Sequence, residues 1–280
     1  MQWRGRAGST NVEDRRGMGM GRMGLPVGGG IGGIVLLLVL SALTGQNPLD
    51  MIGGLTESAP TSEAGGPPAN DPQSEFIRVV LGDTETTFNK VFSERGADYV
   101  EPTLVLFTDA TQSACGVGQA AMGPFYCPAD RKVYLDLSFF QELDQRFGAP
   151  GDFAQAYVVA HEVGHHIQTL TGLSQRVSAA RQQAGEAEAN ALSVRQELQA
   201  DCYAGVWGSY ASQKGLLDPG DVEEGLRAAA AIGDDRLQRQ GQGRVVPESF
   251  THGSSEQRVT WLKRGLESGR LESCDTFATR

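Results

Sequence analysis

Residues 151–171 read GDFAQAYVVAHEVGHHIQTLT. Phe153, Ala156, Ala160, Val163, Ile167 and Leu170 recur at spacings of three and four, which predicts an amphipathic helix over the whole stretch. His161 and His165 lie four apart, so their rings leave one face about a turn from each other. Two neutral imidazoles so placed can reach a single zinc ion at about 2.0–2.1 Å. Glu162 follows the first ring directly and is placed to take a proton from a zinc-bound water. These residue types suit hydrolysis. Imidazoles leave the metal's Lewis acidity largely intact, the metal draws the pKa of its water towards 7, and a carboxylate base can hand the proton to a leaving amine. The plainer alternative is a surface helix with two solvated histidines. Against it, the chain holds only four histidines, three of them in this stretch, and Tyr157, Val158 and Val159 make the approach apolar. His166 is turned about 100° from His165 and reads as a packing or hydrogen-bonding residue. With three protein ligands, a catalytic zinc keeps one position open for water.

A third ligand is available downstream. Residues 193–211, SVRQELQADCYAGVWGSYA, form another helical pattern, with Glu197 and Asp201 on one face and Val194, Leu198, Cys202, Tyr203 and Trp207 supplying apolar surface. Glu197 reads as the third zinc ligand. Asp201 reads as its support, accepting the spare ring N–H of a zinc histidine and fixing the tautomer. The alternatives are a solvated helix face, Asp201 itself as ligand, or Glu186 or Glu188, which stand in an Ala/Gln/Glu-rich stretch without an apolar frame. His252 is the remaining histidine, in SFTHGSSEQRVTWL. Ser254 and Gln257 have the form of a capping box, so a helix should start there with His252 just ahead of it. From that position His252 is a candidate to donate a hydrogen bond to a developing oxyanion. The alternative is a loop histidine with a purely structural hydrogen bond, with Tyr203 and Tyr210 as substitutes in the role. Arg258 and Glu256 are either salt-bridged or site-lining.

HEVGH followed about thirty residues later by ELQAD resembles the gluzincin metallopeptidases. That resemblance implies Glu197 as ligand, Asp201 as its support and a His or Tyr at the oxyanion. The wider set GPFYCPADRKVYLDLSFF, HEVGHHIQ, ELQADCYAGVW and HGSSEQRVTWL is similar to the bacterial membrane-anchored neutral zinc metallopeptidases, over roughly residues 75–275. It implies a zincin-like domain, one zinc ion and a protein or peptide substrate. A rival reading is a membrane-anchored binding or scaffold protein whose zinc is structural or vestigial. Glu162 argues against it, because a structural site needs no base. A zinc hydrolase of non-peptide amides is a further rival.

The rest of the chain frames this domain. Residues 1–24 are Gly-, Met- and Arg-rich, 25–45 uncharged and mostly apolar, and 46–74 rich in Pro, Gly, Ser and Glu. The apolar stretch is close to the roughly 20 residues that a helix needs to cross a bilayer. Arg4, Arg6, Arg15, Arg16 and Arg22 precede it, while Asp50, Glu57, Glu63 and Asp71 follow. The positive-inside rule therefore predicts a single-pass anchor with a cytoplasmic N-terminal segment (1–24), a flexible linker (46–74) and an extracytoplasmic domain (75–280). A cleaved signal peptide is the alternative. Gly24, Gly28 and Gly32 have helix-dimer spacing, but also suit a merely glycine-rich approach. A net charge of −10 with no basic stripe excludes the usual nucleic-acid binder.

Cys115, Cys127, Cys202 and Cys274 all follow the apolar segment, an even count that suggests two disulfides in an oxidising compartment. Three pairings are possible. The turn residues between Cys115 and Cys127 favour joining those two, leaving Cys202 with Cys274. Zinc binding by the cysteines is disfavoured because no C-x-x-C spacing occurs. The fold class expected is α+β. Strands are predicted near 103–108 and 132–137, and helices near 75–95, 151–171, 193–212, 220–240 and 254–269. A substrate could add as an extra strand beside Val133–Leu137 or Gly123–Tyr126.

Overall fold

The structure is a computed structural model that describes residues 1–17 and 71–278. The predicted membrane segment (25–45) and nearly all of the linker lie outside the described residues. Among the described residues, no helix is long and apolar enough to cross a membrane. Met1–Arg15 form one compact unit with residues 70–280, and 16–69 form a second unit, described only at Arg16 and Gly17.

The first unit is mainly helical with a small sheet, the α+β class expected. Strand β1 spans Val12–Asp14 and helix α1 Pro72–Ser93. Strands β2 (Thr103–Phe107), β3 (Ala110–Ser113), β4 (Gly116–Gln119), β5 (Phe125–Cys127) and β6 (Lys132–Asp136) follow. The main sheet has the order β1-β2-β6-β5, parallel except for β5, while β3 and β4 make a separate antiparallel hairpin. Leu104–Phe107 are all buried, so β2 shows no polar alternation; it is covered on both faces, as parallel strands are.

Helices α2 (Ser138–Gln145), α3 (Asp152–Leu170), α4 (Leu173–Gln183), α5 (Glu186–Gln213), α6 (Asp221–Ala231), α7 (Asp234–Gln242) and α8 (Ser255–Ser268) complete the unit. Helix α3 is the predicted motif helix, and its Phe153, Ala156, Ala160, Val163 and Ile167 are buried as the periodicity requires. Glu224 of α6 caps its start, accepting the Phe153 N–H at 3.2 Å above Gly151, where a side chain would collide with that carboxylate. The Ser254/Gln257 capping box opens α8 as predicted.

Three boundaries differ from the sequence reading. Helix α5 begins at Glu186, so Glu186 and Glu188 are its first-turn acids, favourable at a helix N-terminus. The expected helix 220–240 is two helices. It breaks at Ile232–Gly233 because Ser255 Oγ takes the Ala230 carbonyl at 2.7 Å and Arg258 Nη1 takes that of Ile232 at 3.3 Å. The third difference concerns the N-terminus. Composition sets residues 1–24 apart from a domain starting at 75, yet residues 1–15 are part of the folded unit.

Those residues form an arm held by specific bonds. The Leu104 N–H donates to Asn11 O at 2.9 Å and the Arg15 N–H to Leu106 O at 2.8 Å, adding β1 to the sheet. Arg6 pairs with buried Asp83 at 2.8 Å, while Ser9 Oγ and Asn11 Nδ2 both donate to buried Glu85. The arm thus supplies hydrogen bonds that Glu85 needs inside a core, and it adds Arg6 to the bonds Asp83 already accepts from Trp207 Nε1 at 3.0 Å and Lys214 Nζ at 3.1 Å.

Candidate metal centre

Helices α3 and α5 pack directly on each other, and the motif itself permits the approach. A Cβ on Gly164 would lie 2.9 Å from Ala200 O, so only glycine lets the two backbones come this close. The crossing brings Glu197 under the two rings. Glu197 Oε2 is 3.1 Å from His161 Nε2, and Oε1 is 3.4 Å from His165 Nε2. The two rings stand 4.8 Å apart by centroid at 88° to each other. One ligand atom from each of His161, His165 and Glu197 lies within 4.8 Å of the others, so all three can meet one ion. Glu162 is 7% exposed and faces the same cleft.

The donor set fits zinc: two imidazoles and a carboxylate, on helices that hold them together. Electrostatics agree. Burial opposes a charge on His161, but Asp201 and Glu197 outweigh it and raise the ring's pKa to about 10. Burial also opposes ionised Glu197, yet the two imidazoles hold its carboxyl well below the usual range. A proton and a dication compete for the same ring lone pairs, so surroundings that favour one favour the other. Glu162 is pushed upward, chiefly by burial, with the two histidines working against the shift.

Asp201 is the support the sequence reading assigns. Its Oδ1 accepts from His161 Nδ1 at 2.8 Å, leaving Nε2 free for a metal. It also accepts from Tyr157 OH at 2.5 Å and from Arg258 Nε and Nη2, each at 2.9 Å. Arg258, 3% exposed, is thus both salt-bridged and cleft-lining. The other ring is supported differently: His165 Nδ1 lies 3.0 Å from Gln168 Oε1. His166 takes no part in the metal set. Its Nε2 donates to Val100 O and its Nδ1 accepts from Tyr126 OH at 3.0 Å, and burial keeps it neutral, with a pKa lowered to about 4.

His252 stands on the cleft with a side chain 52% exposed. Its Nδ1 is 3.2 Å from Asp234 Oδ1, and that hydrogen bond raises its pKa. Asp234 Oδ2 also accepts the backbone N–H groups of Thr251, His252 and Gly253, so one carboxylate shapes the whole turn. The sequence reading missed Asp234, Tyr157 and Gln168. Gln168 was within reach of it, since i and i+3 side chains on a helix are neighbours.

The cleft has a volume of about 830 Å³. Met122, Gly123 and Phe125 line one side, and Phe139, Val158 and Leu237 also contribute. Of the two substrate edges considered, Val133–Leu137 is excluded. Strand β6 is paired on one side with β2 and on the other with β5. Strand β5 ends the sheet, and Gly123–Tyr126 border the cleft. Both expected disulfides are present. Cys115–Cys127 ties the β3–β4 hairpin to β5, and Cys202–Cys274 ties the C-terminal segment to α5.

Residues 1–277 match the family described as "Putative neutral zinc metallopeptidase". This chain belongs to that family. The match takes in the N-terminal arm as well as the helices bearing the metal set. Among relatives, the chain is 50% identical over 284 residues to the uncharacterized protein YpfJ of Escherichia coli (strain K12), an alignment covering 99% of each. It is 42% identical over 216 residues to the uncharacterized protein Mb2605 of Mycobacterium bovis, covering 73% of this chain and 72% of that one. No solved structure matches.

Proposed function

We propose that this protein is a zinc-dependent endopeptidase with a zincin-like catalytic unit, hydrolysing peptide bonds of proteins or peptides outside the cytoplasm. The observation that carries the reading is the convergence of His161, His165 and Glu197 within 4.8 Å beside a buried Glu162. When bound, zinc supplies a Lewis acid and a water made acidic enough to attack at neutral pH. His161 and His165 present their Nε2 atoms, and Glu197 its carboxylate, as the ligands. Glu162 is the base, taking a proton on its carboxylate and returning it to the leaving amine. His252 donates from Nε2 to the carbonyl oxygen as it gains charge. With its Nδ1–H committed to Asp234, only the protonated ring has an N–H left at Nε2. The substrate backbone pairs along the outer edge of β5, which is unpaired among the described residues.

Two disulfides suit an oxidising compartment, which favours an extracytoplasmic catalytic unit. A single crossing by residues 25–45 would set residues 1–15 and 71–278 on opposite faces of the bilayer, so in this proposal that apolar segment associates with the membrane from the catalytic unit's side and is not a single-pass anchor. Because residues 1–15 fold with residues 71–278, the N-terminal arm shares the catalytic unit's compartment, and a cytoplasmic N-terminus is not part of the proposal.

The purified full-length chain should bind one equivalent of zinc and cleave a denatured protein. Glu162→Gln should keep the metal and lose cleavage by several orders of magnitude. A Glu162→Gln chain as active as its parent sinks the mechanism.

A further inference from the structure

The two ligand histidines are braced by different chemistry. His161 leans on an ionised carboxylate, itself clamped by Arg258. His165 leans on an amide. Gln168, wholly buried and one turn along α3, offers Oε1 to His165 Nδ1 at 3.0 Å. Its Nε2 donates to Gln196 O at 2.7 Å and to Gln199 Oε1 at 3.1 Å. Gln199, 6% exposed, donates in turn from Nε2 to Cys274 O at 3.0 Å. Cys274 is bonded to Cys202 of α5.

The polarity of this chain of bonds is determined. A backbone carbonyl only accepts, so the Gln199 group facing Cys274 O is its NH₂ and the group facing Gln168 is its oxygen. Gln168 must then direct its NH₂ at Gln199 Oε1 and Gln196 O, and its oxygen at His165. A flip of either amide would set two acceptors against each other in a buried place, which is costly. His165 Nδ1 must therefore carry a proton, and its lone pair is at Nε2, on the metal side.

We infer that Gln168 and Gln199 are positioning residues: a buried amide relay, anchored on two main-chain carbonyls, selects the His165 tautomer that presents Nε2 to the metal. The inference rests on the zinc reading above. The relay's far end is the disulfide-tethered C-terminal segment, so that tether also serves the metal site. The relay carries no charge.

Three measurements on the full-length chain test this. The first is zinc affinity, by competition with a chromophoric chelator, for the parent, Gln168→Leu and Gln199→Leu. Groups that orient a metal-bound histidine are typically worth about 10- to 100-fold in affinity. Gln168→Leu should lose that much, and Gln199→Leu a smaller factor in the same direction. The second is thermal unfolding of each variant, which separates loss of fold from loss of positioning. The third is the nitrogen chemical shifts of the His165 ring in the parent, which need no variant to fold. They should show the proton on Nδ1 and the metal on Nε2. A parent that takes up no zinc overturns the zinc reading and this inference with it. A parent that coordinates through His165 Nδ1, or folded variants that bind zinc within twofold of it, overturn the relay alone.

Discussion

Arg258 grips Asp201 with two parallel hydrogen bonds, Nε to Oδ2 and Nη2 to Oδ1, each 2.9 Å long, with both side chains buried. Asp201 can brace His161 as an ionised group only because this guanidinium compensates its charge. Burial works to raise the Asp201 pKa, but Arg258 and then His161 hold it down at about 2. Removing Arg258 should leave an uncompensated charge inside the protein, at a cost of about 3–5 kcal/mol. Arg258→Met should therefore lower the denaturant midpoint sharply. Arg258→Lys should recover only part of the loss, since an ammonium cannot make the bidentate contact.

The Asp234–His252 pair predicts a pH effect. The hydrogen bond from His252 to Asp234 raises the ring's pKa above 6.5, so the protonated donor persists to higher pH than a free histidine would allow. Activity should fall on the alkaline side as the ring loses its proton. In Asp234→Asn the chief cause of the raised value is gone, so that limb should move to lower pH, which a pH profile of kcat would show. Asp234→Asn also weakens the turn at 251–253, so KM should be followed separately. An alkaline limb at the same pH in the variant removes His252 from the mechanism.

Gly164 gives a test of the helix contact. Adding one methyl group places a carbon 2.9 Å from Ala200 O and 3.0 Å from Ala200 Cα, and both are backbone atoms that cannot turn aside. Gly164→Ala should force α3 and α5 apart, destabilising the unit by about 1–3 kcal/mol. It should also weaken zinc binding, because Glu197 is on one helix and both rings are on the other. Isothermal titration with zinc, beside a thermal melt, measures both.

The arm makes a topological prediction. Thr10 and Lys263 are both exposed, one on the arm and one on α8. Cysteines introduced at either place should react alike with a membrane-impermeant maleimide added to intact cells. Labelling of Lys263→Cys without Thr10→Cys would show that the arm is not folded on the catalytic unit in the cell.

Buried Glu85 makes a further stability prediction. Burial raises its pKa above 4.5, against the hydrogen bonds from Asn11 and Ser9. A raised value means that Glu85 favours the fold below the unfolded pKa and that this contribution is lost as pH rises through the folded one. Ser9 and Asn11 both donate to the same oxygen, Oε1, which glutamine keeps. Glu85→Gln should therefore raise the midpoint of denaturation at neutral pH and reduce its pH dependence, as denaturant titrations at several pH values would show.

Much of the centre was legible because it is local. His161, Glu162 and His165 lie within five residues on one helix, and a period of 3.6 places them. Glu197 and Asp201 share a face for the same reason. The capping box at Ser254 is likewise a short-range pattern. What could not be read is what depends on meetings between distant segments. Asp234 is 18 residues from His252, and nothing in a run of ordinary helix-start acids marks one as the partner of a ring. The break at Ile232–Gly233 depends on Ser255 and Arg258, which reach it from a later helix. The arm misled for a related reason. Its arginines count as cytoplasmic flanking charge by composition, whereas in the fold Arg6 is bound to Asp83 and Arg15 to Glu13.

The sequence by itself determined the ligand types, their helical spacing and the α+β class. All of these follow from residue chemistry and from periods of a few residues. Only the tertiary structure decided which strand edge borders the cleft, which amide and which carboxylate brace each ring, and that the first fifteen residues belong to the folded unit. Those outcomes depend on how closely two backbones can approach and on which buried polar groups still need a partner. Both conditions arise only once the helices have packed.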